Sequence, residues 1–114
     1  MTQAIDQAVF GELQSTAGAD FVAELVGTFL EEAPGMLAEL REALGAGDAE
    51  RFRRAAHSLK SNGMTFGATS LGALARALEL KGLDADPARD EAAITALEAA
   101  YQQAAGALQE LARG

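Results

Sequence analysis

The stretch Arg51-Phe52-Arg53-Arg54-Ala55-Ala56-His57-Ser58-Leu59-Lys60-Ser61-Asn62-Gly63-Met64-Thr65-Phe66-Gly67 decides how this chain is read. Phe52, Ala55, Ala56, Leu59, Gly63 and Phe66 recur at helical spacing and make one apolar stripe. At about 100° per residue, His57 falls roughly 150° from the centre of that stripe. The segment reads as an amphipathic helix that turns the chain's one histidine toward water. Arg53 and Arg54 lie one turn before the imidazole, and Lys60 and Ser61 one turn after it. An exposed imidazole among cations, beside a small side chain, suits a nucleophile that receives an anion. Two blander readings compete with this one. A core histidine satisfied by a hydrogen bond fits poorly, because the stripe faces the other way; an idle surface histidine fits the helical face equally well.

Similar stripes flank the segment on both sides. Ile5, Val9 and Leu13 mark a short amphipathic helix ahead of Gly18. Asp20 is placed to cap a long helix whose stripe is Phe21, Val22, Leu25, Val26, Phe29, Leu30, Ala33, Met36, Leu37, Leu40 and Leu44. Pro34 interrupts that stripe without a change of period, which predicts a bend and not a stop. Gly45 and Gly47 close it, and Asp48 caps the histidine helix, which the pattern runs from about Ala49 to about Phe66. Thr69 or Ser70 caps a further helix that buries Leu71, Leu74, Ala75 and Leu78 and ends near Gly82. Asp86-Pro87 starts the last helix, with Ile94, Leu97, Tyr101, Ala104, Leu108 and Leu111 on its inner face. One-sided helices with short connections predict an all-α fold, an antiparallel up-down four-helix bundle with a short additional N-terminal helix, formed by residues 1–114 as a single domain.

Composition sets the outer limits. The chain has no Cys, which excludes a disulfide framework, a thiolate nucleophile and a cysteine zinc site. No apolar run approaches the ~18 residues of a membrane span, and Met1-Thr2-Gln3-Ala4-Ile5-Asp6 does not read as a signal peptide. The expectation is a cytoplasmic protein, without membrane insertion and monomeric. Net charge is −8, which argues against nucleic acid as the main partner. No Asp or Glu occurs from Arg51 through Leu78, where Arg51, Arg53, Arg54, Lys60 and Arg76 give +5; the net −8 then leaves −13 for the rest. A basic island around the histidine attracts a small anion or an acidic partner surface, although a basic stretch is also the ordinary look of a solvated helix face.

Several tempting motifs dissolve on inspection. Gly67-Ala68-Thr69-Ser70-Leu71-Gly72 spaces its glycines like a P-loop, but Ala73 stands where the lysine belongs and no strand precedes it. No other glycine-rich loop offers an ATP site, so a self-sufficient kinase is not indicated. No carboxylate lies near His57 in sequence to complete a metal site or to stand behind the imidazole. Glu31-Glu32 and Asp84-Asp86 read as solvated helix and loop charges.

His57-Ser58-Leu59-Lys60-Ser61, with Gly63 and Gly67 following, resembles the histidine-containing phosphotransfer (HPt) domain of two-component phosphorelays. That family carries His-x-Leu-Lys-Gly on a bundle helix and then a glycine-bearing turn. The likeness extends to Phe29-Leu30-Glu31-Glu32-Ala33-Pro34, Leu37, Leu40, Ala43 and Gly47-Asp48 before the motif, and to Leu71, Leu74, Ala75, Leu78 and Glu79 after it. Ser61 departs from the family's glycine but remains small. The resemblance implies a phosphorelay intermediate that accepts a phosphoryl group on His57, from a receiver-domain phospho-aspartate or a kinase, and passes it to a response-regulator aspartate. It implies a phosphoryl carrier with no cofactor or metal of its own, Mg²⁺ being expected on the partner receiver domain. Lys60 is then expected to stabilise the phosphoryl oxygens and Ser61 to leave room beside the histidine. Arg53, Arg54 and Met64 are expected to bind the partner, a receiver domain or a sensor or hybrid histidine kinase. The competing reading is an HPt-like helical scaffold without phosphotransfer.

Overall fold

A computed structural model of the chain describes residues 4–113. Met1, Thr2 and Gln3 of the N-terminal segment read above, and Gly114, lie outside the described residues. The helices are α1 (Gln7–Ala17), α2 (Ala19–Ala46), α3 (Ala49–Phe66), α4 (Thr69–Lys81) and α5 (Pro87–Ala112). The fold is all-α: α2 packs on α3 and α5, α4 packs on α3 and α5, and α1 lies across α2 and α3. Consecutive neighbours therefore close a four-helix bundle, with the short α1 as the additional N-terminal helix.

The buried stripes meet in one core. Val22, Val26, Phe29, Ala33, Leu37 and Leu40 of α2 face Phe52, Ala56, Leu59 and Phe66 of α3, Leu71, Ala75 and Leu78 of α4, and Ile94, Leu97, Tyr101, Ala104 and Leu108 of α5. Phe29 sits at the aromatic centre, 5.5 Å from the Phe66 ring and 5.9 Å edge-on from Tyr101. Helix α2 runs 28 residues, through Pro34 without a break. Proline removes the amide that would bond the Leu30 carbonyl, and the Tyr101 hydroxyl from α5 donates to that oxygen across 3.4 Å. A partner helix thus supplies the bond that the helix itself lacks.

The ends follow the sequence signals in part. Asp48 Oδ1 accepts from the Arg51 amide at 3.1 Å, and Asp86 Oδ1 from Ala88 at 3.0 Å ahead of Pro87. Asp20 is not a cap. Gly18, at φ +96°, makes the turn between α1 and α2, so the helix begins two residues earlier and Asp20 falls in its first turn. Neither Thr69 nor Ser70 caps α4: Ala68 takes that place, because the α3 closure leaves no spare residue, and the Thr69 hydroxyl turns back to the Gly67 carbonyl at 3.2 Å. Phe21 and Leu74 were expected inside and lie on the surface. In α1 the buried anchor is Phe10, while Val9 is exposed.

The corner between α4 and α5 overturns the reading of Asp84 as a solvated charge. Asp90 is 0 % exposed; it accepts from Lys81 Nζ and from the Asp84 amide, each at 2.7 Å. The Asp84 carboxylate in turn accepts from the Asp86 amide at 2.9 Å and lies 3.4 Å from Lys81. These bonds hold the Asp84 carboxyl below its ordinary range, through the Asp86 amide first, and hold the Lys81 ammonium above its own, through Asp90 first. The network ties the end of α4 to the first turn of α5.

Candidate functional site

Helix α3 presents His57 on its outer face, with the side chain 57 % exposed. Behind it stands α4, brought alongside by a tight turn. Gly67 closes α3 at φ +79°, with Ala68 N bonding the Gly63 carbonyl at 2.8 Å. Asp6 N bonds the Gly67 carbonyl at 2.7 Å, and the Asp6 carbonyl is so near that a Cβ at Gly67 would meet it at 2.8 Å. Along the helix contact Gly63 faces Gly72, where an added Cβ would meet the Gly72 amide at 3.3 Å. Small residues on both sides let the helices approach closely, and that approach brings α4 side chains up to the imidazole.

The side chain that arrives is Glu79. Its Oε2 lies 2.6 Å from His57 Nδ1, and its Oε1 accepts from Lys60 Nζ at 2.8 Å. The carboxylate is largely enclosed, at 18 % exposure. The Lys60 hydrogen bond, followed by that from His57, holds its carboxyl below the ordinary range, so it is an anion at neutral pH. An ionised carboxylate can only accept. Nδ1 therefore carries the proton and donates, and in the neutral ring the lone pair is left on Nε2. A carboxylate does stand behind the imidazole, contrary to the expectation from sequence. It comes from the next helix, and the cations around His57 are accompanied by an anion in direct contact.

The other expected residues separate by position. Lys60 is not turned loose toward solvent; its ammonium is engaged by Glu79. Ser61 is exposed one turn past His57 and leaves that side of the ring open. Met64 is 46 % exposed and also lies over Gly72, with Sδ 3.1 Å from where a Cβ would stand. Arg53 and Arg54 are both exposed and line an open hollow of about 420 Å³ with Glu50, His57, Ser58 and Glu79. Arg51 leaves the group: its guanidinium is 2.6 Å from Glu39 and 3.7 Å from Glu42 on α2. Glu79 is the functional residue that sequence reasoning passed over as part of a helix pattern. A signal existed. Glu79 follows Gly72 and Ala75 on one edge of α4, and stands about as far after the Gly67 turn as His57 stands before it.

Among the described residues no group of three or more His, Cys, Asp or Glu is arranged to hold a metal ion, and no helix is long and apolar enough to cross a membrane. The family profile described as "Hpt domain" matches residues 24–112. The chain belongs to the Hpt-domain family, whose members transfer phosphoryl groups through histidine in two-component phosphorelays, and it is a phosphorelay histidine phosphotransfer protein. Its fold is similar to that of histidine-containing phosphotransfer protein B (HptB) from Pseudomonas aeruginosa PAO1, with a TM-score of 0.82 and 25 % identity over 99 % of this chain and 97 % of that one. Among curated proteins no sequence matches.

Proposed function

We propose that His57 accepts the phosphoryl group on Nε2, from the aspartyl phosphate of a receiver domain or from a kinase, and delivers it to the aspartate of a response regulator. The observation that carries this reading is the 2.6 Å contact between Nδ1 and Glu79, which in the neutral ring leaves the lone pair on Nε2 of a side chain that is 57 % exposed. In the accepting step the Nε2 lone pair forms a bond to phosphorus. The bond from phosphorus to the aspartyl oxygen breaks, and the aspartate leaves with that electron pair. The ring gains positive charge while keeping its Nδ1 proton, and the Glu79 carboxylate facing that proton stabilises it. No proton has to move. Delivery is the reverse with a different aspartate.

In this reading Lys60 acts first by steering Glu79, and Ser61 admits the partner's active site over the turn past His57. Arg53, Arg54 and Met64 lie on the face that meets the partner. The receiver domain brings its own acidic pocket and Mg²⁺, so this chain supplies nucleophile, orientation and surface. Such a carrier works as a cytoplasmic monomer, one partner being released before the next is engaged. Incubation with a receiver domain carrying labelled phosphate tests the reading. Label should appear on this chain as an acid-labile, alkali-stable phosphoramidate and be absent from His57→Gln. A folded His57→Gln protein that still passes the label onward would overturn it.

A further inference from the structure

The sequence treats Arg53 and Arg54 as equals and gives the phosphoryl oxygens to Lys60. The geometry divides these three cations differently. Lys60 Nζ is 2.8 Å from Glu79 Oε1, where leaving would strip an enclosed carboxylate of a partner. Arg53 precedes His57 by four residues and lies on its α4 side, with a guanidinium nitrogen 3.7 Å from where a Cβ at Gly82 would stand. That position is the C-terminus of α4, whose last carbonyls carry negative partial charge and hold a cation well.

Arg54 precedes His57 by three residues, so it lies about 60° round the helix on the side away from α4. Glu79 holds Nδ1 on the α4 side, so α4 takes up one flank of the ring and Arg54 stands on the other. Arg54 and Ser58 line both open hollows that flank the histidine ridge. One, of about 420 Å³, includes His57; the other, of about 610 Å³, lies between α2 and α3 beside Gly35, Met36 and Ala55. Arg54 makes no ion pair within 4.0 Å among the described residues.

We infer that Arg54, and neither Lys60 nor Arg53, is the side chain that binds the phosphoryl group once it is on His57. This rests on the Nε2 reading given above. A guanidinium fits phosphoryl oxygens with paired donors, which an ammonium cannot match. Across the other hollow Arg54 faces Glu32 and also Glu39, which is paired with Arg51; on the hollow shared with His57, the carboxylate without an ion pair among the described residues is Glu50, four residues before Arg54. It competes with the phosphoryl group for Arg54, so its removal should strengthen the contact.

Because His57 is the chain's one histidine, the test needs no partner. Potassium phosphoramidate transfers its phosphoryl group to the ring, ammonia leaving as the phosphorus–nitrogen bond of the reagent breaks. The phosphorylated protein is then titrated by phosphorus NMR. A cation beside the phosphoryl oxygens favours their dianion. Arg54→Ala should therefore raise the phosphoryl titration midpoint by about half a unit or more, with Arg54→Lys in between. Arg53→Ala should stay close to wild type, and Glu50→Gln should lower the midpoint. An unchanged midpoint in Arg54→Ala, or a larger rise in Lys60→Ala, overturns the inference. Failure of a receiver domain to phosphorylate the same protein would count against the relay reading alone, since this titration does not depend on it.

Discussion

At the scale of single residues, the nucleophile is defined by its neighbour as much as by itself. Imidazole offers two nitrogens, and only a fixed acceptor decides which one keeps the proton. Glu79 is that acceptor, and Lys60 fixes Glu79, so the three side chains form one unit. Glu79→Gln keeps an acceptor oxygen and loses the charge that meets the developing imidazolium. It should slow phosphorylation of His57 about tenfold in single-turnover transfer. Lys60→Ala should slow it less. The double variant should be little worse than Glu79→Gln alone, because Lys60 acts through Glu79. Fully multiplicative effects in that cycle would show that Lys60 acts on the phosphoryl group directly.

At the scale of elements, α2 is the instructive case. Its period predicted continuity through Pro34, and the helix is continuous, but periodicity is silent on where the orphaned Leu30 carbonyl finds a donor. The donor is Tyr101, some way down α5. Tyr101→Phe should therefore destabilise the bundle by about 0.5–1.5 kcal/mol in chemical denaturation, toward the lower figure because the bond is long. In a Pro34→Ala background the backbone amide at that position returns, and the same Tyr101→Phe change should cost markedly less. Equal costs in the two backgrounds would mean the hydroxyl is not compensating for the proline. Caps are legible at Asp48 and Asp86, where an aspartate precedes a clear stripe; the side-chain cap Asp6 of the short α1 escapes the sequence pattern, as do Gly18 and Ala68, where no side chain caps.

At the scale of the whole molecule, the basic island is smaller than its sequence. Arg51 is paired with Glu39 and Glu42 from α2, and Lys60 with Glu79 from α4. The cations left without a close acidic partner among the described residues of this stretch are Arg53, Arg54 and Arg76, on an otherwise acidic protein. Long-range attraction to an acidic receiver surface should still be present and should weaken as salt rises. Arg76→Glu, on exposed α4 surface, should lower the association rate with a receiver domain in stopped-flow measurements more than it raises the dissociation rate. An association rate insensitive to both salt and this reversal would remove electrostatic steering from the account.

The sequence by itself determined the helices, most of their inner faces and the outward placement of the one histidine. Those properties are periodic or local: a stripe at helical spacing, an aspartate before a helix, one histidine opposite the stripe. The match of His57-Ser58-Leu59-Lys60-Ser61 to a family pattern then set the class of chemistry. What only the tertiary structure decided is everything that crosses between helices. Glu79 reaches Nδ1 because Gly63 and Gly72 let α3 and α4 approach; Tyr101 repairs α2; Asp90 gathers Lys81 and the Asp84 amide; Arg51 is drawn off to α2. Helical periodicity tells which way a side chain points, but not which atom of a neighbouring helix it meets. That depends on the spacing and register of the packed pair, which the turn at Gly67 and the bare glycine contact set together.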